Sequence, residues 1–394
     1  MMKLHPARKF GFSSERLNHI TKTMQRYVDD GKAAGIVTLV ARRGAVVHRE
    51  KFGYRNLREK RPMGLDTLFR IYSMTKPITS AAVMMLYERG LMRLEDPVHK
   101  YIPGFKTVKV LEAGGKLVAP NRDVSIRHLL THTAGLSYGD ETESLIDRLY
   151  RLADLENASS TNEELARRLV ELPLRFHPGE SWHYSYATDI VGYLIELVSG
   201  VPLSEFLREQ ILAPLGMHET FFKVPAEMKD RFSELYGMTE DEFLGPIDAS
   251  VGGDFFNVRR EGGGAGLVST LADYFRFAQC MLNKGELDGV RLLGPRTVDL
   301  MRANHLPASM LPIVMGEPWP GIGFGLGFSV LLDITQSDQR GSVGSHGWGG
   351  WASTHFWIDP VEEIVGILML QYIPSRTVPI ASVFRNIVYS ALVD

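Results

Sequence analysis

Cysteine is nearly absent: Cys280 stands alone in 394 residues, so no intrachain disulfide can form. Its surroundings, Phe275 to Leu282, read as an apolar helix, and the thiol is expected to be a small buried hydrophobe. Charge of one sign is lacking too. The formal net charge is -2 and no run of like charges occurs, which leaves no basic field for nucleic acid or acidic lipid. No segment reaches the roughly 18 uninterrupted apolar residues of a membrane-spanning helix. The amino-terminal run through Lys9 is basic, but no apolar stretch follows it as a secretory signal requires. A cytoplasmic location is the default expectation. Internal repeats and low-complexity tracts are also missing.

What is present is ordinary for a folded globular protein. Hydrophobic residues make up 44% of the chain, enough for a large core without staples. Ser13 to Asp30 reads as a capped helix with Leu17, Ile20 and Met24 at helical spacing, stopped by Gly31. Two β-branched runs, Ile36 to Ala41 and Val46 to Phe52, flank Arg43-Gly44 as a hairpin. Ser73 to Arg89 is apolar nearly all round and should be a buried helix. Helical patterns then dominate, at Ile126 to Thr131, Glu163 to Glu171, Asp189 to Val198 and Ser204 to Ile211. Strands return at Ser353 to Ile358 and Ile364 to Tyr372, before a closing helix at Val378 to Leu392. The expected architecture is an antiparallel sheet flanked by helices, with a helical insertion. Residues 1–94 and 235–394 would form the α/β domain and 95–234 the mostly helical one, with a cleft at their junction.

Three short segments carry chemistry. Ser73-Met74-Thr75-Lys76 is a Ser-x-x-Lys motif. At a helix start it puts Lys76 one turn from Ser73 on the same face. The helix's positive end favours a developing alkoxide, and a buried lysine can accept the serine proton. In Trp182-His183-Tyr184-Ser185-Tyr186, a phenol held beside two ammonium groups could ionise and relay a proton to a leaving group. In His346-Gly347-Trp348-Gly349-Gly350-Trp351, adjacent glycines allow close approach of a ligand, and the Trp351 N–H could meet an oxyanion.

In this order and at these separations, the segments resemble the serine β-lactamase-like superfamily, over nearly the whole chain. That superfamily includes class C β-lactamases, D-alanyl peptidases and the family VIII esterases. Arg127 to Leu136 and Gly263 to Thr270 are similar to two further family segments. The resemblance implies Ser73 as nucleophile, Lys76 as its partner and Tyr184 as general base or acid. Two departures matter. Trp348-Gly349-Gly350 stands where a lactamase has Lys-Thr-Gly, a form similar to the family VIII esterases. It removes a cation that would help bind the carboxylate of a β-lactam. Tyr186 stands where lactamases usually have Asn.

The expected function is therefore hydrolysis of small acyl or aryl esters through an acyl-enzyme on Ser73. Trp351, Trp348, Gly349, Gly350, His346 and Tyr186 would form the oxyanion and substrate-binding surround. No metal or organic cofactor is implied, and the oligomeric state is not fixed. β-Lactamase, D-amino peptidase or acyltransferase activity on the same fold is the alternative, and a catalytically silent penicillin-binding module is another. Gly135-Leu136-Ser137-Tyr138-Gly139 matches the nucleophile elbow of α/β-hydrolases, but lacks the strand that should precede it. His128 and His132 have metal-ligand spacing without the accompanying Glu, which favours structural histidines. Gly262 to Gly266 lacks the Lys-Ser or Lys-Thr of a phosphate loop.

Overall fold

The computed structural model describes residues 2–140, 144–155, 160–239, 243–248 and 253–394. Its centre is an eight-stranded antiparallel sheet assembled from both ends of the chain. The amino-terminal strands are β1 (Gly35–Arg42), β2 (Ala45–Asn56) and β3 (Arg61–Pro62). The later strands are β4 (Ile322–Phe324), β5 (Ser329–Leu331), β6 (His346–Gly349), β7 (His355–Asp359) and β8 (Ile364–Met369). Their spatial order is β4-β5-β6-β7-β8-β1-β2-β3, so β8 and β1 join the two halves at the middle. The hairpin expected at Arg43-Gly44 closes with φ of 53° and 77° at those two residues, the left-handed backbone that such a turn needs.

Every residue of β1 is buried, because helices cover both of its faces. Its register with β8 pairs Val37 with Met369 and Leu39 with Ile367. Those four side chains join the larger core, whereas Ile36, Val40 and Leu368 join a second core on the opposite face. That second face is covered by α1 (Ser14–Asp29) and the closing helix, Ile380–Ser390. The Ser13 side chain caps α1 by accepting from Arg16 N, and Leu17, Ile20 and Met24 point inward as the spacing requires.

The helices on the larger core carry the chemistry. Among them are α2 (Thr75–Glu88), α3 (Ile126–Leu130), α4 (Leu145–Leu152), α5 (Asn162–Leu169), α6 (Ala187–Ser199) and α7 (Leu271–Leu282). Twelve of the fourteen residues of α2 are buried, Thr75 through Leu86 without a break, as its all-round apolar pattern demands. The helix begins at Thr75, not Ser73: residues Tyr72–Met74 form a 3-10 turn before it. No single helix among the described residues is long and apolar enough to cross a membrane.

Cys280 lies on α7 with no exposed surface, and burial pushes its thiol up to about 12. Thiolate, not thiol, is the reactive form. The native protein at pH 8 is therefore expected to leave a thiol reagent such as dithiobis-nitrobenzoate unreacted, and to react fully once unfolded in guanidinium. Rapid labelling of the native chain would contradict this placement.

Candidate active site

Ser73 is presented by a strained turn. Tyr72, just before it, has φ of 40°, an unusual value for a side chain of this size. Its ring is held edge-on between Phe255 at 5.9 Å and Trp351 at 5.6 Å, which fixes the turn from outside. Ser73 itself is half-buried and so reachable from solvent.

Behind it Lys76 is fully buried. Its ammonium nitrogen lies 3.3 Å from Ser73 Oγ, 3.0 Å from the Tyr138 hydroxyl oxygen and 2.9 Å from the Gly264 carbonyl oxygen. An ammonium group has three N–H donors, and these three acceptors match them. The nitrogen also sits 4.5 Å from the centre of the Tyr184 ring. Tyr184 precedes α6, which packs against α2. Its hydroxyl donates to Ser73 Oγ at 2.6 Å and accepts from Trp348 Nε1 at 3.2 Å.

The loop bearing Gly264 comes from distant sequence, and its glycines let it lie flush between α2 and α6. Gly263 O accepts from Thr79 of α2 at 2.8 Å. A Cβ on Gly263 would stand 2.7 Å from Thr188 O and 3.0 Å from Gly192 Cα, so any side chain would lift the loop from Lys76. Asp189 steadies the same loop by accepting from Gly264 N at 3.1 Å.

Strand β6 ends against the nucleophile turn. A Cβ on Gly350 would come within 2.5 Å of Ile71 O and collide with Thr354 Oγ1. The glycine therefore brings the Gly350-Trp351 backbone beside Ser73. Gly349 continues the β6 pairing opposite His355, and Trp351 lies in the turn beyond, partly exposed.

Lys76 lies within hydrogen-bonding reach of Ser73 Oγ and Tyr184 donates to it, while Trp348, Gly350 and Trp351 close around the pair. Tyr186 stands beside Tyr138, ring centres 4.4 Å apart. His346 is different. It is 3% exposed, packs on Phe328 and bonds Gly344 O through Nδ1, and burial pushes its pKa down to about 4. It is a core residue of β6, not part of the surround of Ser73.

In sequence and in fold, this sheet packed between helices is similar to known proteins. A family model described as Beta-lactamase matches residues 20–380. The chain belongs to the beta-lactamase family. Protein Rv1367c of Mycobacterium tuberculosis is 35% identical over 374 residues, covering 91% of each chain. Esterase EstB of Burkholderia gladioli is 31% identical, covering 86% of this chain and 85% of its own. Among solved structures, EstCE1, described as a hydrolase with promiscuous acyltransferase activity, superposes with a TM-score of 0.82 at 28% identity. It covers 95% of this chain and 99% of its own.

Within this beta-lactamase fold the rival motifs have structural roles. Ser137 has no exposed surface. Its hydroxyl donates to Asp147 at 2.5 Å, lies 3.1 Å from His183 Nε2 and accepts from Gly139 N at 3.0 Å. A catalytic triad needs the acid on the far nitrogen of the histidine. Here acid and imidazole both meet the serine oxygen, so the group is a buried pin. It joins the loops that carry Tyr138 and Tyr184. Asp140, Asp147 and His183 also have donor atoms within 4.8 Å of one another. The Arg175 guanidinium already neutralises Asp147 at 2.7 Å, which disfavours a metal there. His128 accepts from Ser125 N in a capping box of α3, while His132 lies beyond the helix with φ of 56°. The two histidines therefore make no metal pair. His132 packs on the Tyr184 ring at 4.8 Å; burial, and then the Lys76 charge, hold its pKa well below the ordinary value.

The sequence reading passed over Tyr138 and Asp189. Tyr138 lay inside the segment weighed for Ser137, and its contact with Lys76 spans 62 residues of chain. Ser137→Ala is expected to lower stability by about 1–3 kcal/mol, because the buried Asp147 carboxylate loses a donor. Urea unfolding measures this, and ester turnover should survive. An unchanged midpoint would show that the pin carries no weight.

Proposed function

We propose that the chain is a serine hydrolase that cleaves small acyl or aryl esters through an acyl-enzyme on Ser73. The observation that carries this reading is the convergence of the Tyr184 hydroxyl, at 2.6 Å, and the Lys76 ammonium, at 3.3 Å, on Ser73 Oγ. The roles follow from hydrogen-bond capacity. Lys76 spends its three protons on three acceptors, so it serves as a fixed positive charge. Tyr184 accepts the Trp348 N–H and meets Ser73 Oγ, so its oxygen lies where a proton can pass to and from the nucleophile. Tyr184 is therefore the proton carrier.

In the reactive state Tyr184 has released its own proton to solvent and the 2.6 Å bond runs from the Ser73 hydroxyl to the phenolate oxygen; Ser73 Oγ then attacks the ester carbonyl as its proton passes to Tyr184. The backbone N–H groups of Ser73 and Trp351 hold the resulting oxyanion. As the intermediate collapses, the carbon–oxygen bond to the alcohol breaks and Tyr184 gives its proton to the leaving oxygen. Water then adds to the acyl-enzyme, losing a proton to Tyr184, and Ser73 recovers a proton as the acid departs. Esters are favoured over β-lactams because Trp348 supplies a neutral donor where the lactamase pattern has a lysine. The similarity to EstB and to EstCE1 supports the same reading.

Two measurements test it. Tyr184→Phe keeps the ring and its packing but removes the proton carrier. Turnover of p-nitrophenyl acetate should fall by about a hundred- to ten-thousand-fold, with the circular dichroism unchanged. Near-normal turnover would make Tyr184 a wall residue. Separately, p-nitrophenyl acetate or butyrate should be hydrolysed far better than benzylpenicillin, and comparable kcat/KM on the penicillin would reverse the substrate assignment.

A further inference from the structure

A small core, separate from the two large ones, lies under the nucleophile turn and reaches both sides of the oxyanion site. Tyr72, Phe255, Val268 and Ala352 are among its members. Tyr72 immediately precedes Ser73, and Ala352 immediately follows Trp351. The two backbone N–H groups assigned to the oxyanion, those of Ser73 and Trp351, are thus each one residue from a side chain packed in the same cluster.

The backbone on either side of Tyr72 is tied down. Arg70 exchanges two hydrogen bonds with the Gln371 side chain, at 3.0 and 3.1 Å, and Ile71 N donates to Leu267 O at 3.1 Å. Beyond the turn, Met74 O accepts from the Tyr274 hydroxyl at 2.9 Å. Between these ties the chain reverses through Tyr72, whose φ of 40° is a conformation that glycine adopts freely and a large side chain does not. A tyrosine persists there because its ring is engaged. The ring is buried and meets both Phe255, at 5.9 Å, and Trp351, at 5.6 Å, edge-on. Phe255 is backed in turn by the Phe232 ring at 6.1 Å and by the buried Arg70 guanidinium, 5.6 Å from its ring centre. The same Phe255 bounds a cavity of about 120 Å³ that opens beside Tyr138, the partner of Lys76.

Resting on the ester-hydrolase reading, we propose that the Tyr72 ring is a positioning wedge for the oxyanion site. Backed by Phe255 and set against Trp351, it fixes the gap between the Ser73 and Trp351 N–H groups. Tyr72 takes no proton and, buried as it is, meets no substrate; it acts through the two donors beside it. The oxyanion forms only as Ser73 Oγ bonds to the carbonyl carbon. A gap of the wrong width therefore costs stabilisation of the transition state and leaves binding of the ester unchanged. A glycine at position 72 would relax the backbone, but it would leave the Ser73 peptide without a side chain to orient it. The strained backbone and the engaged ring are two parts of one device.

Tyr72→Gly accepts the left-handed backbone and removes the wedge. Its kcat on p-nitrophenyl acetate should fall about tenfold to a hundredfold, with KM changed by less than about twofold. The pH–rate profile should keep its shape, since Tyr184 and Lys76 are untouched. Tyr72→Phe keeps the ring and should retain kcat within about threefold. Equal losses in Tyr72→Phe and Tyr72→Gly, a loss carried by KM, or a displaced pH–rate profile overturns the proposal. Phe255→Ala removes the backing and should lower kcat in the same way. Combined with Tyr72→Gly its loss should not multiply, because the ring that Phe255 backs is already gone. Multiplying losses, or a normal kcat in Phe255→Ala, also overturn the proposal, and this variant carries the test if Tyr72→Gly does not fold. If wild type does not hydrolyse the ester, the ester-hydrolase reading fails on its own. The wedge is then read from crystal structures of wild type and Tyr72→Gly. A changed separation of the Ser73 and Trp351 backbone nitrogens sustains it, and superposable turns overturn it.

Discussion

An ammonium group removed from water is tolerable only where its protons find acceptors. Lys76 is fully buried, and its acceptors come from three separate parts of the chain: the nucleophile turn, the Tyr138 loop and the Gly264 carbonyl. That requirement ties the active face together. If the glycine loop moved outward, or the Tyr138 loop shifted, a buried charge would lose a partner at a cost of several kcal/mol. Asp189 of α6, bonded to the glycine loop, and the Ser137 pin between the tyrosine loops are the supports that prevent this.

The replacement at position 348 changes the electrostatics of the site without emptying it. Trp348 still donates to the Tyr184 hydroxyl, as a neutral N–H on a rigid ring. The ring also packs on Phe324 at 5.2 Å and closes the cleft with apolar surface. A low-polarity wall beside Ser73 strengthens each remaining electrostatic contact. Lys76 is left as the one cation touching Ser73 Oγ among the described residues. An ester carbonyl needs no countercharge to bind there; the carboxylate of a β-lactam does.

The antiparallel sheet and its flanking helices were legible because local patterns dictate them. The all-buried β1, the hairpin at Arg43-Gly44 and the apolar α2 each follow from a few adjacent residues. Ser73 and Lys76 were legible for the same reason, since one helical turn fixes their separation. Tyr138, Asp189 and the Gly264 carbonyl were not. Each reaches the cleft across a long stretch of chain, and no local spacing records that. His346 shows the converse error. It shares a strand and a face with Trp348, but two residues of extended chain carry it about 7 Å away, into the core under Phe328. The onset of α2 was also misplaced, because Tyr72 adopts a left-handed backbone that periodicity does not reveal.

The central claim is that Ser73, and no other hydroxyl, becomes acylated. The direct measurement is peptide mapping by mass spectrometry after brief reaction with p-nitrophenyl butyrate and an acid quench. The account predicts one butyryl group, on the peptide containing Ser73, and none on that peptide or any other in Ser73→Ala. A butyryl group on the peptide containing Ser137, or an adduct that persists undiminished in Ser73→Ala, would contradict it.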